Sequence, residues 1–226
     1  MKSTTKFAVI LLACASPFGA ASAQACLSSA SLSTRHVQIA LAGTRLSGGG
    51  ESLEQWGLQG TVGATSMGFI SAGYIDMPSQ HDNVVPATGA NVAVGKEFQI
   101  ATSKFEFCPI VSGLWQKASA SGAGASQTQS ALSFGGAIGA RIPWSGTTMF
   151  VPSLRADYNL VTFHYTCGGL GCDNTFFERR GTLTLGAGID FNDRVTITPS
   201  VGRWVGLAGT PVVTEGITFS FSLGGR

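Results

Sequence analysis

From Arg35 onward, apolar and polar residues alternate with a period of two. Val37, Ile39 and Leu41 alternate with Gln38, Ala40 and Ala42, and Leu154, Ala156, Tyr158 and Leu160 with Ser153, Arg155, Asp157 and Asn159. Leu183, Leu185, Ala187, Ile189 and Phe191 alternate in the same way with Thr182, Thr184, Gly186, Gly188 and Asp190. A strand points successive side chains to opposite faces, so this period predicts strands with two different surroundings. Ten segments carry it: 35–46, 56–66, 69–77, 90–101, 104–119, 129–142, 147–165, 178–191, 194–207 and 214–224. No stretch beyond residue 25 has a helical period, so the chain is predicted to be all-β.

The segments are long for strands. Soluble strands average roughly 5–6 residues, whereas a tilted strand that crosses a bilayer takes about 9–11. The connections also alternate in length. Tight turns fall at Met67-Gly68, Thr102-Ser103, 143–146 and Asn192-Asp193, and longer loops at 47–55, 78–89, 118–126, 166–177 and 206–212. This rhythm predicts a transmembrane, antiparallel, up-and-down β-barrel of about ten strands with its short turns on the periplasmic side. Eight strands is the alternative count, if 69–77 and 90–101 do not span.

A closed barrel has no open edge, and its two faces meet lipid and lumen. In the last strand, Ile217, Phe219, Phe221 and Leu223 are then lipid-facing, while Thr218, Ser220 and Ser222 face the lumen. The same parity turns Arg141, Arg155, Asp157 and Asp190 inward, away from lipid in which charges are costly. They form either a structural ion-pair network that fills a narrow bore or a constriction that selects small solutes. Arg203 falls on the outward parity, which requires either a place at a rim or a bulge that shifts the register. Trp56, Trp115, Trp144, Trp204, Tyr74, Tyr158 and Phe150 lie mostly toward strand ends, as interfacial girdles require.

Residues 1–25 read as a cleaved signal peptide. Lys2 and Lys6 precede the short apolar run 7–15, and Ala21-Ser22-Ala23 and Ala23-Gln24-Ala25 are small-x-small cleavage sites. Cys26 follows directly, but Ala23 stands where a lipoprotein signal prefers Leu. The whole chain has 14 Lys+Arg and 12 Asp+Glu; removing two lysines leaves 14 − 2 = 12 basic against 12 acidic residues. A neutral mature chain gives no basis for a nucleic-acid partner. Charged residues make up 12% of the chain, about half the share in soluble domains, which fits a surface that meets lipid. The expected organisation is a signal peptide (1–25), an N-terminal periplasmic segment (26–34) and an outer-membrane β-barrel domain (35–226).

In the alternation, the turn and loop rhythm and the terminal strand GITFSFSL, residues 35–226 resemble the bacterial outer-membrane β-barrel family, the small OmpA-type and porin-like barrels. The resemblance implies insertion into the bacterial outer membrane, with outer-membrane lipids and the barrel assembly machinery as partners. That machinery reads a last strand that usually ends in an aromatic residue. This chain departs from the pattern by closing on Leu223-Gly224-Gly225-Arg226.

Four cysteines remain after the signal, an even number that suggests disulfides in an exported protein. Cys167 and Cys172 flank a small loop and are expected to pair locally, which leaves Cys26 with Cys108. Buried unpaired thiols are the alternative for the second pair. A 26–108 bridge would draw residues 27–34 across the periplasmic mouth. No His or second Cys pair stands at metal spacing, so neither a metal nor any other cofactor is expected. His81-Asp82 lacks the accompanying acid pair of a barrel protease, and His36 and His164 have no nucleophile marked beside them. Gly-rich 47–51 lacks the following Lys-Ser/Thr of a phosphate loop and reads as a flexible outer loop. The expected function is therefore not enzymatic. It is a structural, adhesion or surface-interaction role, with an extracellular ligand met by the loops. A narrow channel for small solutes is the alternative, and a barrel-embedded hydrolase ranks third.

Overall fold

The computed structural model describes residues 37–64, 68–78, 85–100, 105–119, 125–166, 173–205 and 211–223. Its strands are β1 (Val37–Gly48), β2 (Glu51–Ala64), β3 (Gly68–Met77), β4 (Ala87–Lys96), β5 (Phe98–Gln99), β6 (Phe105–Ser119), β7 (Ser126–Ala140), β8 (Ile142–Ser145), β9 (Thr148–Thr166), β10 (Asn174–Phe191), β11 (Val195–Val205) and β12 (Val213–Leu223). β5 and β8 are short strips on β6 and β9; the other ten strands form the wall. Each wall strand pairs antiparallel with the next, and β12 returns to β1 from Val37↔Leu223 to Ser47↔Val213. The sheet thus closes into an antiparallel barrel of ten strands, not eight. Among the described residues no helix is long and apolar enough to cross a membrane.

Closure leaves each strand with an inner and an outer face, and the sequence decides which residues take each. On β1, Val37, Ile39 and Leu41 are exposed while Gln38, Ala40 and Ala42 are buried. On β12, Ile217, Phe219, Phe221 and Leu223 are all exposed, whereas Ser220 is buried inside. The pattern inverts that of a soluble protein. Thirty-six large apolar side chains are exposed on the described surface, and the buried set includes six glutamines, two arginines and Asp190. A water-soluble monomer rarely exposes an apolar patch beyond a few hundred Å². A wall whose apolar side chains point outward on every strand has its low-energy environment in hydrocarbon, with all ladder hydrogen bonds satisfied by closure.

The turns differ from the expected rhythm in two places. Residues 47–55, expected as a flexible outer loop, form a tight hairpin: β1 runs to Gly48 and β2 starts at Glu51. Gly49 and Gly50 have φ of 63° and 84°, the left-handed pair that a two-residue hairpin turn requires and that glycine adopts without strain. Asn192 and Asp193 turn in the same way at the opposite end, with φ of 57° and 55°, where a tight turn was expected. Residues 143–145, assigned to a turn, belong to β8, and the reversal occurs at Gly146-Thr147. Several strands begin or end further toward the loops than the alternation indicated, because polar Gln, Ser and Thr positions continue the ladder there. One end of the barrel, here the terminal end, carries Val37 and Leu223; the other, the loop end, carries the 49–50 hairpin and the connections after β3, β6, β9 and β11.

Candidate functional site: the lumen and the loop-end hairpin

The four charges expected in the lumen occupy separate places. Arg155 and Asp157 share the inner face of β9, where Nε and Nη2 of the guanidinium donate to Asp157 Oδ2 at 2.7 Å and Oδ1 at 2.9 Å. Both side chains are buried, at 2% and 9% exposure, so this forked pair sits in a low-dielectric bore. Asp190 lies lower on β10 and accepts hydrogen bonds from the backbone N–H of Asp193 at 3.0 Å and from Thr196 Oγ1 at 3.2 Å. It pins the β10–β11 turn. Arg141 follows β7 at the terminal end and reaches Glu97 at 3.3 Å and Glu106 at 3.2 Å. Arg155 thus forks onto Asp157 on its own strand, while Arg141 pairs with two glutamates at the terminal end.

The loop half of the lumen holds residues that the alternation did not single out. Arg180 lies 4.2 Å over the ring of Trp204, and that ring packs in a cluster with Leu46, Leu53, Met77, Ala87 and Ala118. Trp204, expected in a girdle, is buried inside because its parity on β11 is inward. Gln116, Gln127 and Gln129 line the same half. A signal for these was present, since counting back in steps of two from Thr182 reaches Arg180 and Glu178. The segment 178–191 already contained both, but the alternation was followed only from Thr182 onward.

Arg203 is exposed on the outer face, paired with Leu183 and Val213 without a register shift. The β10–β11 pairing is interrupted opposite Pro199, which lacks an N–H, and resumes in the same register. Trp56, Tyr74, Trp115 and Tyr158 are exposed outward, as girdle residues require. Trp144 is exposed near the terminal end, edge-on to Phe150.

β9 and β10, with 19 and 18 residues, outrun their neighbours. β11 ends at Val205 opposite Gly181, so Asn174–Arg180 extend past it with β9 as their partner among the described strands. Phe163, Phe176 and Tyr165 stack there at centroid distances of 4.8 and 5.4 Å. Phe177 beside them is 79% exposed. His164 is exposed, and its Nδ1 lies 2.9 Å from Thr175 Oγ1.

His36, His81, Cys26, Cys167 and Cys172 lie outside the described residues. Cys108 is buried on the inner face of β6; the 26–108 and 167–172 pairings each involve cysteines outside the described residues and stay proposals. No cluster of metal-ligating side chains occurs among the described residues.

No protein-family model matches the chain, and no curated protein matches it. Solved structures do. The β domain of the Bordetella autotransporter BrkA matches with a TM-score of 0.52 and 11% identity, covering 84% of this chain and 100% of that one. The transport unit of the autotransporter AIDA-I from Escherichia coli matches with a TM-score of 0.51 and 11% identity, covering 84% and 91%. Neisserial surface protein A matches with a TM-score of 0.41 and 11% identity over 82% and 95%. At such identities the likeness is one of fold, and the fold is that of the outer-membrane β-barrels: closed, antiparallel, ten strands, apolar face outward.

Proposed function

We propose that this protein is an integral barrel of the bacterial outer membrane, with a structural, adhesion or surface-interaction role carried at its loop end. The observation that carries this reading is the unbroken outward display of apolar side chains on all ten wall strands. In this orientation the terminal end faces the periplasm and the β9–β10 hairpin stands clear of the membrane. The hairpin suits recognition: exposed Phe177 offers an apolar anchor, and Phe163, Phe176 and Tyr165 stack on the opposite face of the same ladder. The alternative, a narrow solute channel, is less well supported. Inner-face residues at every level are almost inaccessible, among them Gln55, Ile75, Val151 and Phe163.

Two measurements test the proposal. Expression with the signal intact, followed by fractionation and gel mobility with and without boiling, should place the protein in the outer membrane with a shift on boiling. A soluble periplasmic protein with no shift would refute membrane insertion. Cells displaying Phe177→Ser should adhere less to protein- and glycan-coated surfaces than cells displaying the wild-type chain at equal abundance. Equal adherence would remove the hairpin from the proposal.

A further inference from the structure

Where β10 outruns β11 at the loop end, it leaves an open backbone edge. Trp204 N–H donates to the Val212 carbonyl at 3.0 Å, so Trp204 turns its backbone groups toward β12. Successive residues of a strand turn these groups to alternate sides, so Val205 turns its own toward β10, opposite Gly181. The β9–β10 register runs without a shift from Asn174↔Tyr165 to Gly181↔Tyr158. Counting back from Gly181 in steps of two, the N–H and C=O groups of Arg179, Phe177 and Thr175 point to the side where β11 has ended. None of the described strands meets them there. The three residues span about 14 Å of strand. A row of unpaired N–H and C=O groups is a template for another strand. No proline and no bulge interrupts this one, and Phe177 at its centre is 79% exposed.

We infer that this edge takes up an extended segment of another polypeptide as an added antiparallel strand beside β10, with an apolar side chain opposite Phe177 and a carboxylate opposite Arg179. The side chains around the edge decide the chemistry of the occupant. The outer face of the hairpin here holds Leu160, Thr162 and His164 on β9 and Thr175, Phe177 and Arg179 on β10. It has a guanidinium and no carboxylate. Leu160 stands directly across from Arg179, so the β9 side of the ladder supplies that cation with no counter-charge. On an added strand, the residues opposite Phe177 and Arg179 lie two apart on the same outer face. Aromatic pairs and opposite-charge pairs across strands are among those that stabilise such a ladder. Main-chain hydrogen bonds hold the segment, and these two side-chain pairs select it. A glycan or a lipid has no strand backbone to offer to the edge, whereas a polypeptide does. The inference deepens the surface role proposed above and rests on it.

The probe is a fluorescein-labelled peptide, TVDTYVT, in which an acidic and an aromatic residue stand two apart. Its binding is read by fluorescence anisotropy with purified full-length chain in detergent micelles, first shown to shift on boiling. Wild type should bind it about tenfold more tightly than TVKTYVT, in which an ammonium replaces the carboxylate. Arg179→Glu should reverse that preference. Thr175→Pro removes one edge N–H and leaves Phe177 and Arg179 in place, and proline is accepted on strand edges. It should weaken TVDTYVT about tenfold, whereas Thr175→Val should leave binding unchanged. Should Thr175→Pro fail to fold, two versions of TVDTYVT methylated on alternate backbone nitrogens, one in each phase, decide the matter against wild type. One should lose binding and the other keep it. Equal binding of both, or binding that Thr175→Pro leaves intact, overturns strand addition and leaves Phe177 as a side-chain anchor, so the surface role stands. No binding of TVDTYVT to wild type also overturns it. Self-association of the wild-type barrel that Thr175→Pro abolishes would give the edge to a second copy and overturn it too. A wild-type chain with no boiling shift refutes the membrane reading itself.

Discussion

Asp157 shows how closely single residues are matched inside the bore. Its carboxylate receives the forked guanidinium of Arg155 and lies against Gly135 of the neighbouring strand. A Cβ at residue 135 would meet Asp157 Oδ1 and the carbonyl oxygen of Ala156, and the second of these is backbone that cannot swing aside. Gly135→Ala should therefore destabilise the barrel by about 1–3 kcal/mol, read as a lower urea midpoint for the loss of heat-modifiable protein. A midpoint equal to wild type would show that the β7–β9 contact is looser than drawn. Removing one partner of a buried ion pair costs about 3–5 kcal/mol, because the other charge stays desolvated. A double-mutant cycle with Arg155→Met and Asp157→Asn should return a coupling of about 1–3 kcal/mol. Zero coupling would mean that other groups hold Arg155 in place.

Among the elements, β12 carries the clearest consequence of the outward apolar face. Phe219 lies between Leu41 and Ile197 in the apolar band, whereas Val213 on the same strand pairs with Arg203 toward the loop end. In a bilayer, Phe219→Arg should cost about 2–4 kcal/mol and Val213→Arg about 0–1 kcal/mol, because the penalty for a charge falls away from the midplane. Unfolding titrations in phospholipid vesicles measure both. Equal penalties would place the band elsewhere on the strand. The strand bodies were legible in the sequence because inner and outer surroundings differ so strongly, as Phe219 and Ser220 show. Their ends were not. Gln127 and Leu53 lie where hairpins extend past the membrane band, and there lipid no longer forces the outer residues to be apolar. Gly49-Gly50 was read as slack for the same reason, although its left-handed geometry makes it a tight reversal.

At the scale of the whole molecule, low charge and a continuous apolar exterior belong together. A chain with 14 Lys+Arg and 12 Asp+Glu among 226 residues cannot clothe a soluble surface of this size, and the barrel does not need it to. Most of the charge lies in the bore, at the terminal-end cluster of Arg141, Glu97 and Glu106, or near the loop end, where Arg45, Glu54, Lys117 and Glu215 are exposed. Boiling should therefore convert a compact, fast-migrating band into a slower one, since the closed ladder of ten strands holds the compact form together.

The sequence alone determined the strand class, the parity of each strand body and hence which residues face outward, because period two and closure leave a single consistent assignment. It also set Arg155, Asp157 and Asp190 on the inner face. Only the tertiary structure decided which inner residues meet. Parity states the face of a side chain but not its level along a tilted wall, and register between strands fixes that level. Hence Arg155 found Asp157 on its own strand, Asp190 went to a turn and Arg141 to two glutamates. Trp204 moved inside to lie under Arg180, a pairing across adjacent strands that no local pattern encodes.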